Sequence, residues 1–175
     1  MNRRHFLFRA AGAVAGAAVG AQALAQGKPA AAVPPPSAPA PAPAPAPTKL
    51  VLSDAEWKKR LTPAQYRVLR EEDTEYPYSS PLNNEKRKGT FVCAGCDLPL
   101  FESRTKYDSG TGWPSFWQPI PGAVETKTDF KIGYPRDEYH CARCGGHQGH
   151  VFNDGPKPTG LRYCNNGLAL KFVPA

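Results

Sequence analysis

The chain has 175 residues, 20 of them Pro, 16 Gly and five Cys, and its 22 Lys and Arg against 15 Asp and Glu give a net charge of +7. That length allows one ordinary domain plus some extra, and because many of the 41% hydrophobic residues are alanines of an N-terminal arm, a multi-pass membrane protein is excluded. Residues 1–47 hold Arg3, Arg4, Arg9 and Lys28 and no acid, whereas the only basic runs beyond them, Lys58–Arg60 and Lys86–Lys88, read as solvated faces, so the charge does not speak for nucleic acid.

Residues 1–25 come first. A basic start with paired Arg3 and Arg4 before Phe6 and Leu7, a weakly apolar stretch from Ala10 to Val19, and Ala23-Leu24-Ala25 form a signal-peptide pattern too short for a membrane span. The paired arginines resemble the twin-arginine signal, a route that exports folded proteins and so allows a metal to be loaded beforehand. A general secretory signal and an uncleaved anchor are the alternatives. The expectation is export to a bacterial periplasm or cell envelope, with membrane contact only through an uncleaved signal. Residues 26–47 are Ala/Pro-rich, with nine prolines from Pro29 to Pro47. Such a segment favours polyproline II, cannot bury a core, and reads as a semi-rigid spacer of roughly 60 Å at about 3.1 Å per residue.

The domain is expected over residues 48–175. Ser53-Asp54-Ala55-Glu56 is a capping-box pattern opening a short helix through Trp57 to Arg60. Thr62-Pro63 starts a second helix, with Tyr66 and Leu69 on one face and an end near Glu72. Beyond Tyr76 no helical period holds. Gly89–Cys93, 124–130 and 168–173 read as β-strands between Gly and Pro punctuation, so the fold is predicted to be mainly antiparallel β with short N-terminal helices.

Cys93-Ala-Gly-Cys96 and Cys141-Ala-Arg-Cys144 are two Cys-x-x-Cys pairs with 44 residues between them. Two such knuckles can supply a tetrahedral four-cysteine site for Zn2+; two disulfides, suited to an oxidising compartment, and a redox pair are the competing readings. Cys164 is left over. Arg162 lies two residues before it, Asn166 two after, and His147 and His150 upstream. A neighbouring Arg or imidazolium lowers a thiol pKa, which suits a nucleophile, whereas an apolar setting raises it. The alternative is a buried structural cysteine with the histidines as metal ligands.

Several segments then point one way: Glu56-Trp57, Leu61-Thr62-Pro63, Gly89-Thr-Phe-Val-Cys93-Ala-Gly-Cys96, Lys106-Tyr-Asp-Ser-Gly-Thr-Gly-Trp113-Pro-Ser-Phe116, Cys144-Gly-Gly-His147-Gln-Gly-His150-Val-Phe-Asn-Asp154 and Gly160-Leu-Arg162-Tyr-Cys164-Asn-Asn166. In this order they resemble the methionine-R-sulfoxide reductase family, B type. The resemblance implies two antiparallel sheets leaning together in a β-tent, with one structural zinc on Cys93, Cys96, Cys141 and Cys144 away from the chemistry. It implies Cys164 as nucleophile, His147, His150 and Asn166 as catalytic partners, and Trp113 and Arg162 as substrate-site residues. Attack by Cys164 would release methionine and leave a sulfenic acid. Many members carry a resolving cysteine two residues before the tryptophan; Thr111 stands there, so an external thioredoxin-like or small thiol is expected to recycle the enzyme. Gly167 stands where Ser commonly follows the Asn. Substrates would be methionine sulfoxide-containing proteins or peptides, acted on by a monomer. The rivals are a non-catalytic exported zinc-ribbon binding module and a disulfide-stapled structural protein.

Overall fold

The computed structural model describes residues 46–131 and 133–175; the signal-type segment 1–25 and positions 26–45 of the Ala/Pro-rich stretch lie outside the described residues. Helix α1 (Asp54–Arg60) opens as predicted: Ser53 Oγ accepts from the Glu56 N–H at 3.4 Å and the Glu56 carboxylate accepts from the Ser53 N–H at 2.7 Å. Helix α2 (Pro63–Glu71) repeats the device with Thr62 and Gln65, beyond the proline start read from sequence. Trp57 of α1 and Val68 and Leu69 of α2 are buried, and Tyr66 is partly so. Among the described residues no helix is long and apolar enough to cross a membrane.

Nine strands follow among the described residues, all antiparallel. One sheet has the order β2 (Pro99–Glu102), β1 (Gly89–Cys93), β9 (Leu170–Pro174). The second runs β3 (Lys106–Tyr107), β4 (Ser115–Phe116), β8 (Arg162–Asn165), β7 (His147–Phe152), β6 (Arg136–Cys141), β5 (Val124–Asp129). The three predicted runs fall on β1, β5 and β9, except that β5 stops at Asp129 and a 3-10 turn takes Leu168 and Ala169 from the start of the last.

Aromatic burial joins the sheets. Phe101 from the first stacks on Phe116 from the second at 4.1 Å, Phe91 meets the same ring at 5.0 Å, and Tyr139 stands edge-on to Phe101 and Tyr163. Phe91, Phe101, Phe116 and Tyr139 have no exposed surface. Each such side chain contributes about 1.5–3 kcal/mol by burial, so these rings are a substantial part of the core that holds the two sheets together. The two leaning antiparallel sheets and two short leading helices are the architecture expected from the sequence.

Candidate functional site

The two cysteine pairs meet. Each knuckle is closed by a backbone bond four residues long, Asp97 N–H to Cys93 O at 2.9 Å and Gly145 N–H to Cys141 O at 2.8 Å, with Asp97 and Gly145 in the left-handed region at φ 60° and 67°. The four Sγ atoms lie within 4.8 Å of one another and are buried. The nearest pairs run between knuckles, Cys93–Cys144 at 3.6 Å and Cys96–Cys141 at 3.4 Å. A tetrahedron with bonds of about 2.3 Å has edges of about 3.8 Å, so the spacing fits a single ion. All five cysteines are unbonded, which sets the disulfide-stapled reading aside.

Cys164 lies elsewhere, on β8, and the strand register assembles a row around it. Ser115 pairs with Cys164, Cys164 with His150, His150 with Glu138, and Glu138 with Lys127. Directly opposed residues of antiparallel strands share a face with Cβ atoms about 4.5–5.5 Å apart. A thiol, an imidazole, a carboxylate and an ammonium therefore line one face of the larger sheet.

His147 joins this row by an irregularity. Residues three apart on a regular strand point to opposite faces. The pairing shifts between Tyr139, opposite Gly149, and His140, opposite His147, so β7 carries one extra residue. That bulge brings His147 and His150 onto the same face, with ring centroids 5.5 Å apart. Close approach makes the bulge possible: a Cβ on Gly149 would lie 1.9 Å from the Cys164 carbonyl oxygen.

Each imidazole is held by a carboxylate from the β5–β6 hairpin. His147 Nδ1 meets Glu138 Oε1 at 2.8 Å, and His150 Nε2 meets Asp129 Oδ2 at 2.8 Å. Asp129 also receives Arg136 Nη2 at 2.6 Å, and its carboxyl is held well below the usual range by the Lys131 N–H and then by His150. Burial pushes Glu138 up, but hydrogen bonds from His147 and Lys127 outweigh it and leave the carboxyl below its ordinary value. Burial lowers the His150 pKa, with Asp129 opposing. The sequence had named both histidines and neither carboxylate.

An open cleft of about 450 Å³ lies over Cys164, lined by Trp113, Phe152, His150, Arg136, Thr74 and Asn166 among others. Trp113 and Phe152 supply apolar surface and His150 the titratable group. Trp113 is fixed by its Nε1–H, which donates to the Glu75 carbonyl at 3.1 Å. The N–H of the same Glu75 donates to Asn166 Oδ1 at 3.1 Å, and its buried carboxylate accepts from the Gly167 and Leu168 N–H groups at 2.6 and 3.0 Å. One residue after α2 thus ties the aromatic wall to the segment following the nucleophile. Asn166 also donates through Nδ2 to the Gln148 carbonyl at 3.1 Å, and Gln148 Nε2 reaches Cys93 Sγ at 3.5 Å, so the bulge residue links cleft and cysteine cluster.

His147 and Arg162 sit outside the cleft itself. His147 lines a second, polar hollow that shares Thr74, Arg136 and His150 with it. Arg162 is clamped by Asp154, through Nε at 2.8 Å and Nη2 at 2.9 Å, and lies over the Phe152 ring at 4.2 Å. It bears on the thiol, not on the cleft lining. Burial pushes the Cys164 thiol up, and the Arg162 charge with hydrogen bonds from Thr111 and Arg162 opposes without cancelling it. The expected lowering is therefore outweighed by desolvation.

A sequence profile described as SelR domain matches residues 61–174. The chain is 56% identical over 121 residues to the peptide methionine sulfoxide reductase MsrB of Leptospira interrogans, covering 69% of this chain and 92% of that protein. It is 54% identical over 127 residues to the protein of the same name from Agrobacterium fabrum, covering 72% and 94%. With the chloroplastic peptide methionine sulfoxide reductase B1 of Arabidopsis thaliana it shares 55% over 121 residues, 69% of this chain and 60% of that one.

Proposed function

The chain belongs to the SelR-domain family of peptide methionine sulfoxide reductases, type B, and from that premise we propose that it reduces the R epimer of methionine sulfoxide through a sulfenic acid on Cys164. The observation that carries the reading is the cleft in which this thiol faces an aromatic wall on Trp113 and Phe152 and the carboxylate-held imidazole of His150. An aromatic surface buries the substrate methyl, and a sulfoxide becomes electrophilic when its oxygen is hydrogen-bonded or protonated, which imidazole does near neutrality.

Cys164 Sγ takes the oxygen. The sulfur–oxygen bond of the substrate breaks, the substrate sulfur gains two electrons to become a thioether, and Cys164 loses two to become a sulfenic acid. The hydrogen of the resting thiol balances the one that ends on the sulfenic oxygen. Two external thiols then return the enzyme to its thiol, releasing water and a disulfide. Thr111 cannot act as a resolving residue, and the knuckle cysteines are engaged with one another. An apolar wall that takes the methyl and an imidazole that takes the oxygen together favour one arrangement of methyl, oxygen and lone pair, which supports selectivity for a single epimer.

We assign the cysteine cluster to one structural Zn2+, because four buried sulfurs in tetrahedral spacing suit a borderline-soft ion that leaves no open position. The N-terminal sequence supports export by the twin-arginine route to a bacterial cell envelope, where a thioredoxin-like domain or small thiol would be the donor. A non-catalytic zinc-ribbon module gains nothing from an odd thiol opening into a lined cleft.

The test is turnover of a methionine sulfoxide peptide of each epimer with dithiothreitol, and mass spectrometry of enzyme oxidised without reductant. Activity on R alone and a dimedone-trappable gain of about 16 Da on Cys164 are expected. Comparable rates on both epimers, or a stoichiometric internal disulfide on Cys164, would overturn the reading.

A further inference from the structure

His147, which lines the polar hollow beside the cleft, carries a buried nitrogen without a hydrogen-bond partner among the described residues. His147 and Glu138 are 3% and 2% exposed. Nδ1 of His147 is 2.8 Å from Glu138 Oε1, whereas Nε2 is buried without a hydrogen-bond partner, and the residue lines the same hollow as Asp129, Arg136 and His150. The other oxygen of Glu138 is engaged by Lys127 Nζ at 3.0 Å, and Lys127 in turn contacts Glu72 at 2.6 Å. A carboxylate only accepts, so its neighbour nitrogen must carry the hydrogen.

We propose that Glu138 is a positioning residue that locks His147 as the Nδ1–H tautomer, presenting Nε2 as a fixed proton acceptor one ring away from His150. This rests on the reductase reading. As Cys164 attacks, its hydrogen must leave the sulfur while another reaches the departing oxygen. By the same rule Asp129 takes the Nε2–H of His150, so His150 donates to the oxygen only as the imidazolium, while the unpaired Nε2 of His147 accepts. When Nε2 takes up a proton, the resulting imidazolium is already paired with Glu138, so the charge is compensated where it forms. Lys127 keeps Glu138 ionised and spends its second oxygen, so the carboxylate has one orientation.

Glu138→Gln is the informative change because Lys127 dictates how the amide lies. The ammonium needs an acceptor and takes the Gln oxygen, which turns the amide NH2 toward Nδ1 and forces the hydrogen onto Nε2. With ¹⁵N-histidine label and only four histidines in the chain, a long-range ¹H–¹⁵N spectrum of the zinc-loaded protein reports the tautomer directly, His147 being assigned by its loss in His147→Gln. The expected results are Nδ1–H in the wild type, Nε2–H in Glu138→Gln, and a kcat on R sulfoxide lowered on the order of 100-fold with KM within about twofold, the scale on which acid–base help is lost. Glu138→Asp, which keeps the carboxylate, should retain the wild-type tautomer and most of the rate. An Nε2–H wild type, a Glu138→Gln variant that keeps Nδ1–H, or one that switches tautomer at full kcat would each overturn the proposal. Should Glu138→Gln not fold, the wild-type spectrum and the Glu138→Asp rate decide. A wild type without turnover speaks against the reductase reading; an active wild type with the wrong tautomer speaks against Glu138 alone.

Discussion

Gly167 is set by crowding, and that makes it a measurable position. A Cβ placed there would lie 1.9 Å from Ser80 Oγ, 2.4 Å from Ser80 Cβ and 3.2 Å from Glu75 Oε1, where ordinary contacts are about 3.5–4.0 Å. Ser80 is buried and cannot retreat freely, because its Oγ accepts from the Leu82 N–H at 3.2 Å at the start of the 3-10 turn Pro81–Asn84. Gly167→Ala should therefore cost about 1–3 kcal/mol, the range for overpacking, or about 4–12 °C in Tm for a domain of this size. The strain passes to the Gly167 N–H bond to Glu75 and thence to Asn166 and Trp113, so turnover should fall as well. Ser80→Gly removes the obstacle at a cost of a few tenths of a kcal/mol for the lost cap. Thermal melts of both single variants and the double variant form a cycle whose coupling should recover about 1 kcal/mol or more. Independent additivity, or a Gly167→Ala variant as stable as the wild type, would refute the claim that Ser80 fills this space.

Cys144→Ser should unfold or insolubilise the domain, since metal binding and folding are one free energy in a closed thiolate site; a folded, active, metal-free variant would contradict this, and metal analysis of the wild type should find one zinc per chain. Alkylation of Cys164 by iodoacetamide should rise with pH through a midpoint above the ordinary thiol value of about 8.5, because burial raises it, and Arg162→Met should move that midpoint further up by removing the opposing charge. An unchanged or lower midpoint in Arg162→Met would mean that Arg162 acts only through its clamp with Asp154.

What the sequence discloses here is what depends on local order. The capping box at Ser53, the proline start at Thr62-Pro63 and the Cys-x-x-Cys knuckles all act within about four residues and appear where they were expected, and the β-rich runs between glycines do so to within a few residues. The cleft depends on register, which no such window contains. Asp129 and Glu138 look like two surface acids on alternating strands until β5, β6 and β7 are aligned, and Glu75 looks like one acid in a loop until its carboxylate is found on the Gly167 and Leu168 N–H groups. The spacing of His147 and His150 is the sharpest case. Three residues apart, they would straddle a regular strand, and only the extra residue at the bulge makes them neighbours. The signal for that bulge is present in Gln148-Gly149 but cannot be read alone, because the glycine is required by the Cys164 carbonyl of another strand. The direction of the Cys164 shift has the same origin. Arg162 is visible two residues away, but the burial that outweighs it comes from strands and loops distant in sequence, so neighbour chemistry alone gives the wrong sign.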